Sequence, residues 1–518
     1  MKKKYLLISL PAIPCLLSAQ QIPQKNRPNI IFIMSDDHAQ QAISCYSHQL
    51  NSTPNIDRLA NEGMRFTNSF VTNSISGPSR AVMLTGRYNH LNGFVDNNCT
   101  FNSQQHTFPM ILRNNGYQTS IIGKWHLVSN PVGFDYWNIL PGQGNYYNPD
   151  FIEMGKKSKQ EGYVTDLITH FSIRWLNQRD TSKPFCMLIH HKAPHREWMP
   201  APEYLNLYDS ITIPEPYGLF DNYEGRGTAA RVQTMTIAKD LTWCSDLKIN
   251  PGNSLNHLSG PTGIPSFHKN YDQMNAEQKA LWDEAYDMEN KIFLNSNHDS
   301  TTIIRWRYQR YIKDYLRCIA SVDKSVGKIL CYLDSTGLAK NTIVVYTSDQ
   351  GFYLGEHGWF DKRFMYEESF RMPLLMRYPP LIKPGTIDSN LVLNLDFAPT
   401  FLAAAGVVIP DSIQGTSLLP LMKQPNRKPW RKSIYYHYYE YPGFHSVKRH
   451  YGIRDHQYKL IHFYYDIDEW EFYDLKADPH EMTNSYNNPA YKKIIGRMKK
   501  DLEKLRRQYR VPEDKPVH

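Results

Sequence analysis

The sequence predicts an α/β fold, with a large and mostly parallel sheet sandwiched by helices and a smaller C-terminal α+β subdomain that contains an antiparallel sheet. Short apolar runs alternate with helical patterns along the chain, which is typical of strands joined by crossover helices. The 518 residues exceed what one ordinary core organises, so two structural units are expected. We place a main domain at 25–425 and a C-terminal subdomain at 430–518, joined by the linker 424–429.

Four apolar runs carry the prediction of the parallel sheet, and each leads directly into a polar cluster. The runs are 30–34, 117–122, 185–189 and 342–346, and the clusters that follow them are 35–38, 123–126, 190–195 and 347–351. Such runs are typical of strands that are covered on both faces. Because ligands bind beyond the carboxyl ends of parallel strands, we expect the four clusters to meet at one edge of the sheet.

The remaining elements are predicted from periodicity and capping residues. A helix is expected over 54–61, with Thr53 as its cap, and a longer one over 311–333, where apolar residues recur at helical spacing. The stretch 200–300 is predicted to be irregular, with local helices. In the C-terminal unit we expect strands at 434–439, 450–454, 458–461 and 471–475, followed by a terminal helix over 489–509.

An export signal is predicted at 1–19, because lysines precede a short apolar stretch and a small-residue cleavage site. We therefore expect a periplasmic or cell-surface protein with no transmembrane segment in the mature chain. Cys15 offers a lipoprotein interpretation, which we rank lower because Pro14 stands where a small residue is normally required. The six cysteines beyond the signal are dispersed, so neither a zinc site nor a disulfide framework is predicted, although a single bridge stays open.

Composition excludes some classes of function and leaves others open. The formal net charge is +9, but no dense basic block accompanies it, so no nucleic-acid partner is expected. Aromatic residues make up 13% of the chain, which suits both a packed core and a surface that faces carbohydrate. A mild positive balance favours anionic substrates by electrostatic steering.

The segment around Ser76 is the first candidate for chemistry. Residues 76–80 read Ser-Gly-Pro-Ser-Arg, and residues 84–87 read Leu-Thr-Gly-Arg. A helix that begins here places Ser76 at its N-terminus, where backbone N–H groups and the helix dipole favour anions. Taken alone, however, the same segment is also typical of an ordinary turn and helix cap.

Together with the strand-end clusters, this segment resembles the signature of the type I sulfatases of the alkaline phosphatase superfamily. The matching motifs occur in the family's order at 36–37, 123–126, 193–195, 348–351, 355–358 and Lys362. The resemblance spans about residues 28–480, nearly the whole mature chain. It implies that the main domain is the catalytic sulfatase domain.

The resemblance implies a modified nucleophile and a metal ion. Ser76 corresponds to the residue that is oxidised to formylglycine, and the serine form implies an anaerobic sulfatase-maturing enzyme as a partner. The implied Ca²⁺ ligands are Asp36, Asp37, Asp349, Gln350 and the modified residue 76. Hard oxygen ligands suit calcium or magnesium rather than zinc. Many relatives have Asn or His in place of the glutamine, whose amide oxygen remains a suitable ligand.

The same resemblance assigns the catalytic side chains. Arg80 and Lys124 hold the aldehyde hydrate and the sulfate, and Lys362 contacts a sulfate oxygen. One hydroxyl of the hydrate attacks sulfur, and His195 protonates the departing sugar oxygen. His126 then takes the proton from the second hydroxyl as sulfate leaves. Lys124, His195 and Lys362 also count as substrate-binding residues.

The expected substrate is a sulfated glycan of host mucin or glycosaminoglycan type. Asp361 and Arg363 flank the lysine of the last motif and are candidate sugar contacts, as are His445 and His450 of the C-terminal unit. The segments 366–371 and 142–149 resemble bacterial glycan sulfatases related to N-acetylglucosamine-6-sulfatases. The best prediction is thus 6-O-sulfated N-acetylglucosamine, with a 4-O or 6-O sulfatase of galactose or N-acetylgalactosamine as the alternative.

Two further classes of function stay open at this point. One is a phosphatase or phosphonate hydrolase of the same superfamily, but the additional histidine ligands of a zinc-type site are missing from the sequence. The other is an exported glycan-binding protein without turnover, against which the full set of catalytic positions argues. Metal analysis separates the first from a sulfatase, and an activity assay separates the second.

Overall fold

A computed structural model describes residues 27–256 and 258–513. The predicted signal peptide at 1–19, with Cys15, lies outside the described residues. The strands are β1 Asn29–Ser35, β2 Met64–Phe66, β3 Ser69–Phe70, β4 Gln118–Lys124, β5 Tyr136–Leu140, β6 Asp150–Glu153, β7 Lys156–Lys159, β8 Phe185–His190, β9 Thr342–Ser348, β10 Leu374–Arg377, β11 Thr386–Asp388, β12 Val392–Leu393, β13 Ser433–Tyr438, β14 His450–Asp455, β15 Tyr458–Phe463 and β16 Glu469–Asp474.

The helices have the following bounds. They are α1 Pro54–Asn61, α2 Ser76–Thr85, α3 Asn89–Asn92, α4 Phe108–Asn114, α5 Val164–Gln178, α6 Thr228–Val232, α7 Ile264–Tyr271, α8 Ala276–Leu294, α9 Ser300–Ser335, α10 Glu367–Phe370, α11 Phe397–Ala404, α12 Leu419–Lys423 and α13 Lys492–Gln508. In the part of the chain that the structure describes, no helix has both the length and the apolarity needed to cross a membrane.

A ten-stranded sheet organises the main part of the chain, in the order β11-β2-β10-β9-β1-β8-β4-β5-β6-β7. The neighbours β9, β1, β8, β4 and β5 are all parallel, whereas β10, β6 and β7 pair antiparallel toward the two sides. The four predicted strands are therefore adjacent and parallel. This confirms the mostly parallel α/β sheet, and it brings the four polar clusters to one edge.

The central strands are apolar on both faces because helices cover the sheet. Every residue of β8 and β9 is buried. Phe32 of β1 packs edge-on against the rings of Phe397 and Phe401 in α11. Helices α2, α4 and α11 pack together, and α1 and α5 pack against the long helix α9. Since neighbouring strand residues point to opposite faces, a continuous apolar run is what such a layered core requires.

A separate four-stranded antiparallel sheet, in the order β13-β14-β15-β16, forms the predicted C-terminal unit. Helix α13 packs against β13, β14 and β15. Its apolar residues Ile495, Met498 and Leu502 recur at spacings of three and four, so they line one buried face. The exact domain bounds, 25–425 and 430–518, stay a prediction.

Local details differ from the sequence predictions in two places. Thr53 precedes α1, but its side chain does not cap the helix; it donates to Asp57 Oδ1 at 3.1 Å. The stretch predicted to be irregular contains the 19-residue helix α8, which begins with a capping box of Asn275 and Gln278. The six cysteines of the described residues are free; Cys186, Cys244 and Cys318 are buried, and Cys331 is exposed.

Gly123, in the motif that follows the second predicted strand, provides a test of the sheet register. Its φ is +104°, and a Cβ there would lie 2.0 Å from the carbonyl oxygen of His190, its partner on β8. We expect Gly123→Ala to lower the free energy of unfolding by at least about 3 kcal/mol, because strain and a backbone clash combine. Denaturant unfolding measures this.

The control is Gly155→Ala, where φ is also positive at +89° but nothing lies within 4 Å of the added Cβ. Only backbone strain remains there, so a loss of about 1 kcal/mol is expected. Equal losses at the two positions would contradict the register.

Candidate active site

The carboxyl ends of β1 and β9 place three aspartates side by side in the interior. Asp36 and Asp37 follow β1, and Asp349 follows β9, whose Ser348 pairs with Ser35. The backbone N–H of Asp37 donates to Asp349 Oδ1 at 3.1 Å, and all three side chains are buried. Asp37 has a φ of +64°, a strained conformation for a residue other than glycine that persists only where the surroundings enforce it.

Helix α2 delivers Ser76 to this cluster. Ser76 is the first helical residue and is only 2% exposed, and its hydroxyl donates to Asp36 Oδ1 at 2.9 Å. The predicted position at a helix N-terminus is therefore observed, and the open N–H groups of the first turn favour negative charge. Gly86 ends the helix in a left-handed conformation with a φ of +62°.

Three cations from three different elements surround the aspartates. Arg80 forms a fork on Asp349, with Nε and Nη2 at 3.1 and 2.9 Å from Oδ2. Lys124, at the end of β4, contacts Asp36, and Lys362 contacts Asp37. Each charge is buried, so each needs this pairing to offset its desolvation.

The donor set fits a hard divalent cation. Asp37 Oδ2 and the amide oxygen of Gln350 are buried without a hydrogen-bond partner, although the Gln350 amide nitrogen donates to Asp37. Ligand-capable atoms of Asp36, Asp37 and His195 lie within 4.8 Å of one another. Unsatisfied oxygens beside clustered carboxylates are the environment that Ca²⁺ prefers. The sequence prediction did not count His195 in this group.

The protonation behaviour of the aspartates reflects the same crowding. Burial raises the pKa of Asp37 to about 7, with Lys362 opposing the rise and Asp349 adding to it. Burial also acts to raise the pKa of Asp349, but Arg80, Lys124 and Lys362 together hold that pKa below its usual value. The two carboxyls therefore differ because of how many cations each one faces.

Two histidines stand beside the charged cluster. His195 Nε2 lies 3.8 Å from Asp37 Oδ2, and its Nδ1 lies 2.5 Å from the backbone oxygen of Arg196. His126 follows β4 with a φ of +57°, and its Nε2 lies 3.0 Å from the amide nitrogen of Gln143. Burial and neighbouring cations, including Lys124, lower the pKa of both imidazoles, which favours their neutral forms.

The predicted sugar contacts divide into two groups. His445 Nε2 lies 3.2 Å from Asp361 Oδ2, and Arg363 Nε lies 3.3 Å from Asp361 Oδ1. These three residues sit beside Lys362 and extend the site outward from the aspartates. Glu440 joins them, with its Oε2 at 3.4 Å from Arg363 Nη1.

His450 is not brought to this site. Its side chain is completely buried, its Nε2 accepts a hydrogen bond from the backbone of Met365 at 3.1 Å, and its Nδ1 lies 2.8 Å from the oxygen of Lys448. The ring stacks against Tyr436 and Tyr438 of β13. The sequence prediction of a sugar contact is replaced by a role in the core of the C-terminal sheet.

The sequence analysis assigned no role to two residues of the site. Gln143 links Lys124 and His126, because its amide oxygen accepts from the lysine while its amide nitrogen faces the imidazole. The flanking glycines of 142–144 are a signal that the chain turns tightly there, although they do not show what the turn approaches. Glu440 lies in an aromatic-rich segment that carries no comparable signal.

Comparison with known proteins identifies the family of this chain. The sulfatase family model matches residues 28–407, and the model for the C-terminal region of N-sulphoglucosamine sulphohydrolase matches residues 355–508. The chain belongs to the sulfatase family. It is therefore a sulfuric ester hydrolase, which sets aside the non-catalytic glycan-binding alternative.

Individual relatives of this sulfatase are similar over most of their length. An N-acetylglucosamine-6-O-sulfatase of Bacteroides thetaiotaomicron is 51% identical over 98% of this chain and 92% of its own. The human N-acetylglucosamine-6-sulfatase is 28% identical over 80% of this chain and 67% of its own. A protein solved with its substrate D-glucosamine-2-N,6-O-disulfate is 51% identical, with a TM-score of 0.90 over 94% of this chain and 99% of that one.

The fit of the oxygen cluster to calcium generates a prediction. We expect Ca²⁺ at about 100-fold above its Kd to raise the melting temperature of chelator-treated sulfatase by roughly 5 °C, because the ion binds only the folded chain. Asp37→Asn removes one charge from the cluster and abolishes most of the shift. Differential scanning calorimetry measures both.

The matched control is Asp150→Asn on strand β6, where the carboxylate pairs with Lys157 and with no other cation of the described residues. It keeps the full calcium shift. A calcium response that Asp37→Asn leaves intact would show that the ion binds elsewhere.

Proposed function

We propose that this enzyme removes the 6-O-sulfate from N-acetylglucosamine units of host mucin or glycosaminoglycan glycans. The observation that carries the proposal is the 51% identity, over nearly the full chain, to a relative named N-acetylglucosamine-6-O-sulfatase. The substrate named for the solved relative is also a 6-O-sulfated glucosamine. A galactose or N-acetylgalactosamine sulfatase remains the alternative that a substrate panel tests.

Two groups complete the proposed site. Ser76 is the precursor of a formylglycine that an anaerobic sulfatase-maturing enzyme installs, and the hydrated aldehyde supplies the nucleophilic hydroxyl. Asp36, Asp37, Asp349 and Gln350 would hold Ca²⁺, with residue 76 as a further ligand. The ion supplies positive charge that neutralises sulfate oxygens. The hydrogen bond of 2.9 Å from Ser76 to Asp36 supports this arrangement.

The side chains of the enzyme itself bind and orient the anionic group. Arg80, Lys124 and Lys362 converge on a small volume, so a sulfate ester that enters it meets cations already fixed in position. Fixed charges of this kind stabilise the negative charge that develops on the transferring group without reorganising. Gln143 contacts both Lys124 and His126 and fixes their relative positions, which makes it a positioning residue.

Proton transfer falls to the two histidines. His195 Nε2 lies 3.8 Å from Asp37 Oδ2, so the protonated ring pairs with this carboxylate, and from that form it donates a proton to the departing sugar oxygen. Burial, with the nearby cations Lys124 and Arg80, lowers the pKa of His126, which favours the neutral imidazole that accepts a proton. Asp361, Arg363 and His445 contact hydroxyl groups of the sugar.

The proposed setting is the periplasm or surface of an anaerobic bacterium. It is supported by the amino-terminal export pattern at 1–19 and by the serine form of the motif. A lipid anchor on Cys15 is the less favoured form of this proposal.

Maturation of Ser76 provides the first test of the function. We expect protein co-produced with an anaerobic maturing enzyme to lose a pair of hydrogens from the peptide that contains Ser76, as mass spectrometry detects. Its activity on 6-O-sulfated N-acetylglucosamine rises with the modified fraction, whereas Ser76→Ala lowers kcat at least about 10³-fold. Sulfated galactose and N-acetylgalactosamine are the comparison substrates. Full activity of unmodified protein contradicts the proposed nucleophile.

The leaving group provides the test of His195. A sugar alkoxide needs a proton to depart, whereas 4-nitrophenolate does not. We expect His195→Ala to lower kcat about 10²- to 10⁴-fold on the sulfated sugar and far less on 4-nitrophenyl sulfate. Ser76→Ala serves as the comparison, because it abolishes both activities. Equal losses on the two substrates would assign the histidine to the metal cluster instead.

A further inference from the structure

One aromatic ring stands exposed at the outer end of the site. Phe444 is 63% exposed, although the charged residues beside it, Asp361, Arg363 and His445, are each at most 7% exposed. Its ring meets the His445 ring edge-on at 4.5 Å between centroids. The guanidinium carbon of Arg363 lies 6.0 Å from its ring centre. Phe444 thus lies directly against two of the proposed sugar contacts, His445 and Arg363.

The backbone that carries this ring is fixed on both sides. Thr234 donates its backbone N–H to the oxygen of His445 at 2.9 Å, and its own oxygen contacts His445 Nδ1. On the other side, His445 Nε2 lies 3.2 Å from Asp361. His445 and Ser446 have φ values of +66° and +53°, so two strained residues follow the exposed ring. Such strain is found where a loop must present a side chain in one place.

A single exposed apolar side chain is ordinary on a protein surface, so position decides its meaning. A sugar ring has hydroxyl groups at its edge and an apolar face of C–H groups. Asp361 and Arg363 are suited to the edge, and an aromatic ring is suited to the face. Here the charged side chains of Asp361 and Arg363 and the ring of Phe444 lie close enough together to contact a single sugar.

We propose that Phe444 stacks on the apolar face of the sugar that bears the sulfate. Covering the ring removes apolar surface from water on both partners, which favours binding without participating in the chemistry. The inference rests on the proposed glycan sulfatase function and adds a residue that determines substrate affinity. Phe444 then contributes to ground-state binding of the sugar, whereas the charged groups act on the sulfate.

The experiment measures steady-state kinetics of matured enzyme on the 6-O-sulfated monosaccharide. We expect Phe444→Ala to raise KM roughly tenfold and to leave kcat within about a factor of two, because the lost contact is made equally in the ground and transition states. Phe444→Trp, which keeps an aromatic face, retains most of the affinity. The matched control is Phe220→Ala, which removes a 46% exposed ring that also carries a nearby guanidinium, from Arg305.

Three outcomes overturn the inference. One is an unchanged KM in Phe444→Ala, and another is a rise in KM that Phe220→Ala reproduces. The third is a KM effect seen with a sulfated disaccharide but absent with the monosaccharide, since the ring then faces the neighbouring sugar. Wild-type enzyme that is inactive on every sulfated sugar tested would instead overturn the proposed function, so the two failures are distinguishable.

Discussion

The burial of three aspartates at one edge of the parallel sheet is the constraint on which the rest of the structure depends. Asp36 and Asp37 directly follow β1, and Asp349 directly follows the adjacent β9, so the strand pairing itself brings like charges together. Carboxylates that lie this close together and are buried away from water repel one another unless cations lie beside them. Basic groups from other parts of the chain must therefore lie next to the aspartates, as Arg80 and Lys124 do.

These cations balance the charge of the aspartates and also fix the positions of neighbouring residues. Arg80 reaches the cluster from the same helix that carries Ser76, so the ion pair with Asp349 also sets the position of the proposed nucleophile precursor. Lys124 reaches it from β4, one strand beyond β8, and ties the loop of His126 to the same centre through Gln143. The positions of the residues proposed for binding, proton transfer and nucleophilic attack thus depend on the same set of ion pairs.

Residues at strand ends were predictable because a parallel sheet converts local order along the chain into proximity in space. Asp36, Asp37 and Asp349 were predicted in this way, and the family motifs added Ser76 and Lys362. Gln143 and Glu440 were not, because their roles depend on loops whose path no periodic pattern specifies. His450 was misassigned for a related reason: a histidine in an aromatic strand packs as a flat ring, and sequence alone does not reveal that both its nitrogens face backbone groups.

The tight enclosure of Ser76 bears on when its proposed oxidation takes place. The residue is 2% exposed, lies in the first turn of a completely buried helix, and already donates to Asp36. Another enzyme's active site cannot enclose this side chain while α2 stays in place, and displacing α2 would also separate Arg80 from Asp349. The proposed oxidation is therefore expected before the domain folds. The buried contacts around residue 76 would then both position it and close it to any enzyme that modifies it.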